Sequence, residues 1–413
     1  MRHILRQLLP LLILFLSTVG AHAAAVKTGA QMAAEAGFST LRGKKFGLLT
    51  NATAIVEGRH LLDLMLASGM PPSVVFVPEH GLKGTAEDGV HIADAAEGGI
   101  PVVSLYGGRM KPRPADLAGL DVLVFDIQDI GVRFYTYISS MGLAMQAATE
   151  AGIPFVVLDR PNPLGGNYVS GFVRESGFAS FTSLFPVPIA HGMTVGELAG
   201  MVKGEAMLPG LADLDLAVVR MEGWEREMRW PDTGLAWVPT SPNIPEYESA
   251  LLYAGVGLLE ATSASEGRGT REPFKLAGVP GLDAARLAEI LNARVLPGVR
   301  FSPATFFPTS IPGMSSNPKF KDRKVAGVRI EVTDQDALLP VETGVAVLAA
   351  LYEALPATEK MVFFRKGIEL MAGTERLQRS LELQRSSEEI QNLWWAEVEA
   401  FCETRERYLL YGR

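Results

Sequence analysis

Between residues 45 and 160, short apolar runs alternate with stretches in helical spacing. The runs Phe46 to Thr50, Val74 to Val77, Val102 to Leu105, Val122 to Ile127 and Ile153 to Leu158 are rich in β-branched residues. Runs this short without polar interruption predict strands buried on both faces. Arg59 to Ala67 and Tyr137 to Ala151 read as helices, the second with a core-facing stripe of Ile138, Met141, Met145 and Ala148. Strands alternating with helices predict an α/β fold, a Rossmann-like doubly wound parallel sheet.

From Gly165 to Pro245 the chain is richer in Gly, Pro and aromatic residues, with one helix predicted from Val195 to Glu205 and one strand from Leu214 to Val219. Beyond it, the pattern predicts a helix from Asp283 to Ala293, a strand from Val325 to Thr333 and a helix from Val341 to Leu355. A long final helix is expected after a Ser386-x-x-Glu389 capping box, with Ile390, Leu393, Trp394, Val398, Phe401 and Cys402 on one face. These elements divide the chain into a Rossmann-like domain over 24–255 and a smaller α+β C-terminal domain over 256–413. With 413 residues, 48% of them hydrophobic, the chain can fill two such cores.

The amino terminus has a different character. Met1-Arg2-His3-Ile4-Leu5-Arg6 is basic, Leu8 to Leu16 is apolar, and Ala21-His22-Ala23 is a small-x-small cleavage site. That combination predicts a signal peptide over 1–23, too short for a permanent span, and an exported, periplasmic or secreted product without a membrane anchor after cleavage. The formal charge of −8 becomes more negative once Arg2 and Arg6 are removed, and no basic cluster follows, which argues against nucleic acid and anionic lipid. Cys402 is the single cysteine, which rules out an intramolecular disulfide and a cysteine metal cluster. No Walker loop or Gly-x-Gly-x-x-Gly turn is present, so neither a nucleotide nor another cofactor is expected.

In parallel sheets, ligands sit where the strands' carboxyl ends open, and the polar residues concentrate there. Glu79 and His80 follow the Val74 run in Pro78-Glu79-His80-Gly81; Asp126, Asp129 and Arg133 follow the Val122 run; Asp159, Arg160 and Asn162 follow the next. Each has a structural alternative. Glu79 could cap a turn, and Asp126 could cap the next helix and pair with Arg133. Glu266 and Arg268 centre a loop of small polar residues and could equally form an ion pair in a surface turn. His191 either meets a ligand or sits satisfied in the core. His91, with Asp88 and Asp94, hints at a metal, but tight ligand spacing is missing and no metal is expected. Ser316-Asn317-Pro318-Lys319 formally matches Ser-x-x-Lys and reads as chance. Two carboxylates from separate loops of an exported protein point to glycoside cleavage, which needs a protonated acid and a second carboxylate.

At these residues the chain resembles the NamZ family of exo-β-N-acetylmuramidases, peptidoglycan-directed glycoside hydrolases. The resemblance rests on Leu48-Leu49-Thr50-Asn51, Pro78-Glu79-His80-Gly81, the run from Val124 to Tyr137, and the run from Leu158 to Gly166. It continues through His191-Gly192-Met193-Thr194, Ser241-Pro242-Asn243 and Ser265-Glu266-Gly267-Arg268-Gly269-Thr270. Ser263 departs from the family pattern, which carries Asn there. The resemblance implies an active site between two domains and release of N-acetylmuramic acid from non-reducing ends of peptidoglycan fragments. It implies Glu79 as leading catalytic carboxylate and Glu266 as its partner, with His80, Asp126, Asp129, Arg133, Tyr135, Asp159, Arg160, Asn162, His191, Asn243 and Arg268 toward the substrate. The sugar's lactyl carboxylate calls for a cation, with Arg133, Arg160 and Arg268 as candidates, and Tyr135 and Tyr137 are placed to flank the ring. An apolar wall around Glu79 is expected, to keep it protonated as general acid. The rival readings are a muropeptide-binding protein without turnover and a metal-dependent phosphoesterase using Glu79, His80, Asp88 and His91.

Overall fold

The computed structural model describes residues 25–90 and 93–412. The expected signal peptide and His91 lie outside the described residues.

Seven strands form the main sheet: β1 (Phe46–Thr50), β2 (Val74–Val77), β3 (Ala95–Glu97), β4 (Ile100–Ser104), β5 (Val122–Asp126), β6 (Phe155–Leu158) and β7 (Leu216–Val219). Their spatial order is β3-β4-β2-β1-β5-β6-β7, and only β3 runs antiparallel to its neighbour. β1, β2 and β5 are buried at every position, as their unbroken apolar runs require. Chain order runs outward from β1 through β2 to β4, then crosses back to β5 and continues the other way. That reversal opens a crevice at the carboxyl ends of the central strands. Helices α1 (Gly29–Glu35), α2 (Leu61–Ala67), α3 (Tyr137–Ala151) and α4 (Val195–Gly204) accompany the sheet, and α3 ends on Gly152 in the left-handed region at φ 67°.

The second lobe carries a three-stranded antiparallel sheet in the order β8-β10-β9, with β8 at Leu276–Val279, β9 at Val299–Phe306 and β10 at Val325–Val332. Helix α5 (Tyr247–Val256) packs against α7 (Pro340–Ala354), and α6 (Ala284–Asn292) packs on β9 and β10. Gly255 and Gly344 let α5 and α7 touch backbone to backbone: a Cβ on Gly255 would lie 2.2 Å from the Pro340 carbonyl oxygen.

Three elements differ from expectation. The sequence pattern did not mark α5, whose apolar residues face every direction because the helix is buried all round. It did not mark β9, which is the edge strand that tolerates Pro303. The final helix is two helices, Ser387–Gln391 and Trp395–Arg405. The predicted Ser386–Glu389 capping box is present, but the chain turns at 392–394 and lets Trp394 into the core edge-on to Phe172, with centroids 5.2 Å apart. Cys402 is half-buried. Among the described residues no helix is long and apolar enough to cross a membrane.

Candidate active site

Glu79 leaves the end of β2, beside the central strand. One carboxylate oxygen accepts from the Thr136 hydroxyl at 3.0 Å and the other from the Gly89 amide at 3.1 Å. Burial raises the Tyr106 hydroxyl well above its ordinary value, and its hydrogen bond to Glu79 adds to the shift. Glu79 is therefore held by polar hydrogen-bond donors from three separate segments. His80 adopts φ 71°, a left-handed conformation costly for a non-glycine residue. Its Nδ1 lies 2.7 Å from the Ala86 carbonyl, so that nitrogen carries the proton, while Nε2 faces Asp88 at 3.5 Å. Ligand atoms of Glu79, His80 and Asp88 lie within 4.8 Å of one another, but Asp88 also pairs with Arg268, a cation that would compete with any metal.

Loops of the second lobe face this strand end. Glu87, Asp88, Glu260, Glu266, Arg268, Lys319 and Arg365 line a cleft of about 400 Å3. A larger hollow of about 780 Å3 lies elsewhere in the second lobe, among Arg294, Tyr352, Lys360 and Arg385, and contains none of the strand-end carboxylates. Arg268 pairs with Asp88 and Glu260 and lies 3.7 Å from Glu266. Burial alone would lower the Arg268 guanidinium, yet Glu260, Asp88 and Glu266 hold it well above its usual value. Burial raises Glu260, with Arg268 opposing. Lys319 donates to Glu266 at 2.8 Å and to the carbonyls of Leu259 and Ala264 at 2.6 and 2.8 Å. Ser316 is also in this cleft, where Glu87 accepts from its amide and hydroxyl. The Ser316-to-Lys319 stretch thus lines the cleft, with Ser316 bonded to Glu87 and Lys319 to Glu266 rather than to each other.

Asn243 joins the lobes. Its amide nitrogen donates to the Met314 carbonyl at 2.7 Å and toward Asp88 at 3.4 Å, while its buried oxygen has no protein partner.

The remaining strand-end residues build the floor. Asp126 and Arg160 form a bidentate pair at 2.5 and 2.9 Å, so the alternative of an Asp126–Arg133 pair is not the one adopted. Arg133 is fully buried and donates to the carbonyls of Phe172, Val187 and Met371; burial, with Arg174 nearby, lowers it to about 9. Of the three arginines considered for a substrate carboxylate, Arg133 and Arg160 are thus occupied inside the fold. Tyr135 and Tyr137 are also buried, packed edge-to-face, with both hydroxyls bound to Thr240 rather than flanking an open ring site. Asp159 accepts from Thr194, Gly196 and Tyr411, and burial raises it to about 6. Asn162 bridges Met193 and Leu164, and Gly131 is needed there because a Cβ would meet the Asn162 oxygen at 2.2 Å. His191 is a core histidine, lowered to about 3 by burial with Arg405 and Arg133 adding to the effect, and so neutral. Asp129 is buried, keeps one oxygen without a partner and is raised to about 7 by burial, against the opposing amides of Gly131 and Ile130.

Residues 46–248 match the model of the N-terminal part of exo-beta-N-acetylmuramidase NamZ, and residues 251–411 match that of its C-terminal part. The chain belongs to the NamZ family. It is 41% identical over 376 residues to the peptidoglycan beta-N-acetylmuramidase NamZ of Bacillus subtilis, covering 90% of this chain and 88% of that protein. Two crystal structures of DUF1343 family proteins from Bacteroides fragilis superpose with TM-scores of 0.86 and 0.78, at 36% and 33% identity. Each comparison covers 94% of this chain and 99% of the other. NamZ members are glycoside hydrolases, and this chain has their two parts in the same order.

Sequence reasoning passed over Lys319, Arg365, Tyr106 and Thr136. Lys319 carries a local sign in the Ser-x-x-Lys match and Thr136 lies within the Val124-to-Tyr137 run, whereas Tyr106 and Arg365 lie in stretches that look ordinary.

Proposed function

We propose that the protein is an exported exo-β-N-acetylmuramidase that releases N-acetylmuramic acid from the non-reducing ends of peptidoglycan fragments. The observation that carries the reading is the meeting of Glu79, at the sheet's carboxyl edge, and its neighbour Asp88 with Arg268 and Glu266 of the facing lobe. Glu266 is braced by Lys319 and Arg268, which fixes its position as the carboxylate assigned to stabilise positive charge developing on the sugar ring. Glu79 is held by neutral donors and is the group assigned to exchange a proton with the glycosidic oxygen. Family membership supports the reaction class; the two-carboxylate division of labour is this reading's own. The basic and apolar segments within residues 1–23 support export.

The test is incubation of the mature protein with a muramyl-terminated disaccharide, followed by mass spectrometry of the products. Free N-acetylmuramic acid is expected. Saturable binding of intact disaccharide with no released sugar would instead support the non-catalytic, muropeptide-binding reading.

A further inference from the structure

The cleft holds acidic side chains from both lobes, Glu87, Asp88, Glu260 and Glu266 among them. A sugar acid entering it needs a cation that no protein carboxylate already uses. Arg268 does not meet that need, because Asp88, Glu260 and Glu266 surround it. Nor does Lys319, whose ammonium is shared among Glu266 and two carbonyls. Arg365 lines the same cleft, its side chain is exposed, and among the described residues its guanidinium has no hydrogen-bond or ion-pair partner.

Its backbone is firmly placed. Phe363 is fully buried, and Phe364 stacks on Tyr352 at 5.3 Å between centroids. The Ser263 amide donates to the Phe363 carbonyl at 2.7 Å, and the Arg365 amide donates to the Ala261 carbonyl at 2.9 Å. The segment is thereby sewn to the loop that leads into Glu266. Burial lowers Lys319, Glu266 opposes this, and Arg365 adds to the lowering, as expected of two cations facing one space.

We infer that Arg365 is a specificity-determining residue that binds the carboxylate of the substrate's lactyl ether, so that the enzyme selects an acidic amino sugar over its neutral counterpart. This rests on the proposed muramidase reading. A guanidinium suits the task because its fork meets a carboxylate through two parallel hydrogen bonds. It also explains how a cleft of net negative character admits an anion.

Calorimetry tests the contact without requiring turnover. The ligands are N-acetylmuramic acid and its lactyl methyl ester, titrated into wild type, Arg365→Met and Arg365→Lys. Wild type is expected to bind the acid at least about tenfold more tightly than the ester. Arg365→Met should erase that preference while leaving ester affinity within about twofold, and Arg365→Lys should keep part of it. An acid preference that survives in Arg365→Met, an equal loss for both ligands, or no preference in wild type would overturn the assignment. Intact acid preference in a protein that releases no sugar would instead count against the hydrolase reading and leave Arg365's role standing.

Discussion

The ammonium of Lys319 lies 2.8 Å from Glu266, a residue 53 positions earlier, and both side chains are almost buried, at 12% and 3% exposure. With its bonds to Leu259 and Ala264, Lys319 pins the Glu266 loop to the loop around residue 316. Lys319→Met leaves a buried carboxylate short of one cation. Loss of one partner from a buried pair costs on the order of 3–5 kcal/mol. Urea denaturation should show a destabilisation of that order, and kcat should fall because Glu266 is no longer held. An unchanged unfolding midpoint would show that the pair contributes nothing.

Gly255 and Gly344 mark the crossing of α5 and α7. A methyl group at Gly255 would sit 2.2 Å from the Pro340 oxygen, so Gly255→Ala forces the helices apart. Overpacking of this kind costs about 1–3 kcal/mol. Thermal unfolding should show a clear loss for Gly255→Ala. It should show little change for Gly177→Ala, where a Cβ meets nothing within 4 Å. Equal behaviour of the two variants would remove the close crossing as its cause.

Asp129 is raised to about 7 by burial, well above the ordinary aspartate value. Between about pH 4 and pH 7 the folded protein therefore holds a proton at this site that the unfolded chain has released. Stability contributed at this site falls as pH rises through that window, by up to about 1.4 kcal/mol per pH unit, and levels off above it. Asp129→Asn keeps an acceptor for the Gly131 amide and should flatten this part of the stability profile. Denaturation midpoints of both proteins at pH 5 and pH 7.5 supply the check; identical slopes would place the proton elsewhere.

Local pattern was sufficient for strands β1, β2 and β5 and for helix α3, because burial on both faces, or along one stripe, writes itself into consecutive residues. It failed where tertiary packing decides. The break at 392–394 depends on Trp394 finding Phe172, and β9 looks like a loop because an edge strand can carry Pro303. Polar residues ending apolar runs pointed to Glu79, and a polar loop pointed to Glu266. The arginines were harder to sort. Arg133, Arg160 and Arg268 look alike in sequence, yet their guanidiniums end respectively on backbone carbonyls, on Asp126, and among cleft carboxylates. Arg365 follows two buried phenylalanines, and nothing local says that it emerges beside Glu266.

The Glu79, His80 and Asp88 cluster allows a check on metal dependence. His80 already has a carbonyl at Nδ1, and Asp88 is neutralised by Arg268. Turnover of a chromogenic N-acetylmuramide should survive dialysis against EDTA within about twofold, since no step of general acid catalysis requires an ion. Loss of activity that returns with added divalent cation would favour the phosphoesterase-like arrangement of the same residues.

The central claim is proton transfer by Glu79, and kcat of Glu79→Gln on a chromogenic β-N-acetylmuramide tests it most directly. Glutamine keeps the size of the side chain and an acceptor for Thr136 or Gly89, but it cannot deliver a proton to the leaving oxygen. The expected result is a fall in kcat of about 10²–10⁴-fold with binding of N-acetylmuramic acid retained. A Glu79→Gln protein that turns over at the wild-type rate would contradict the account.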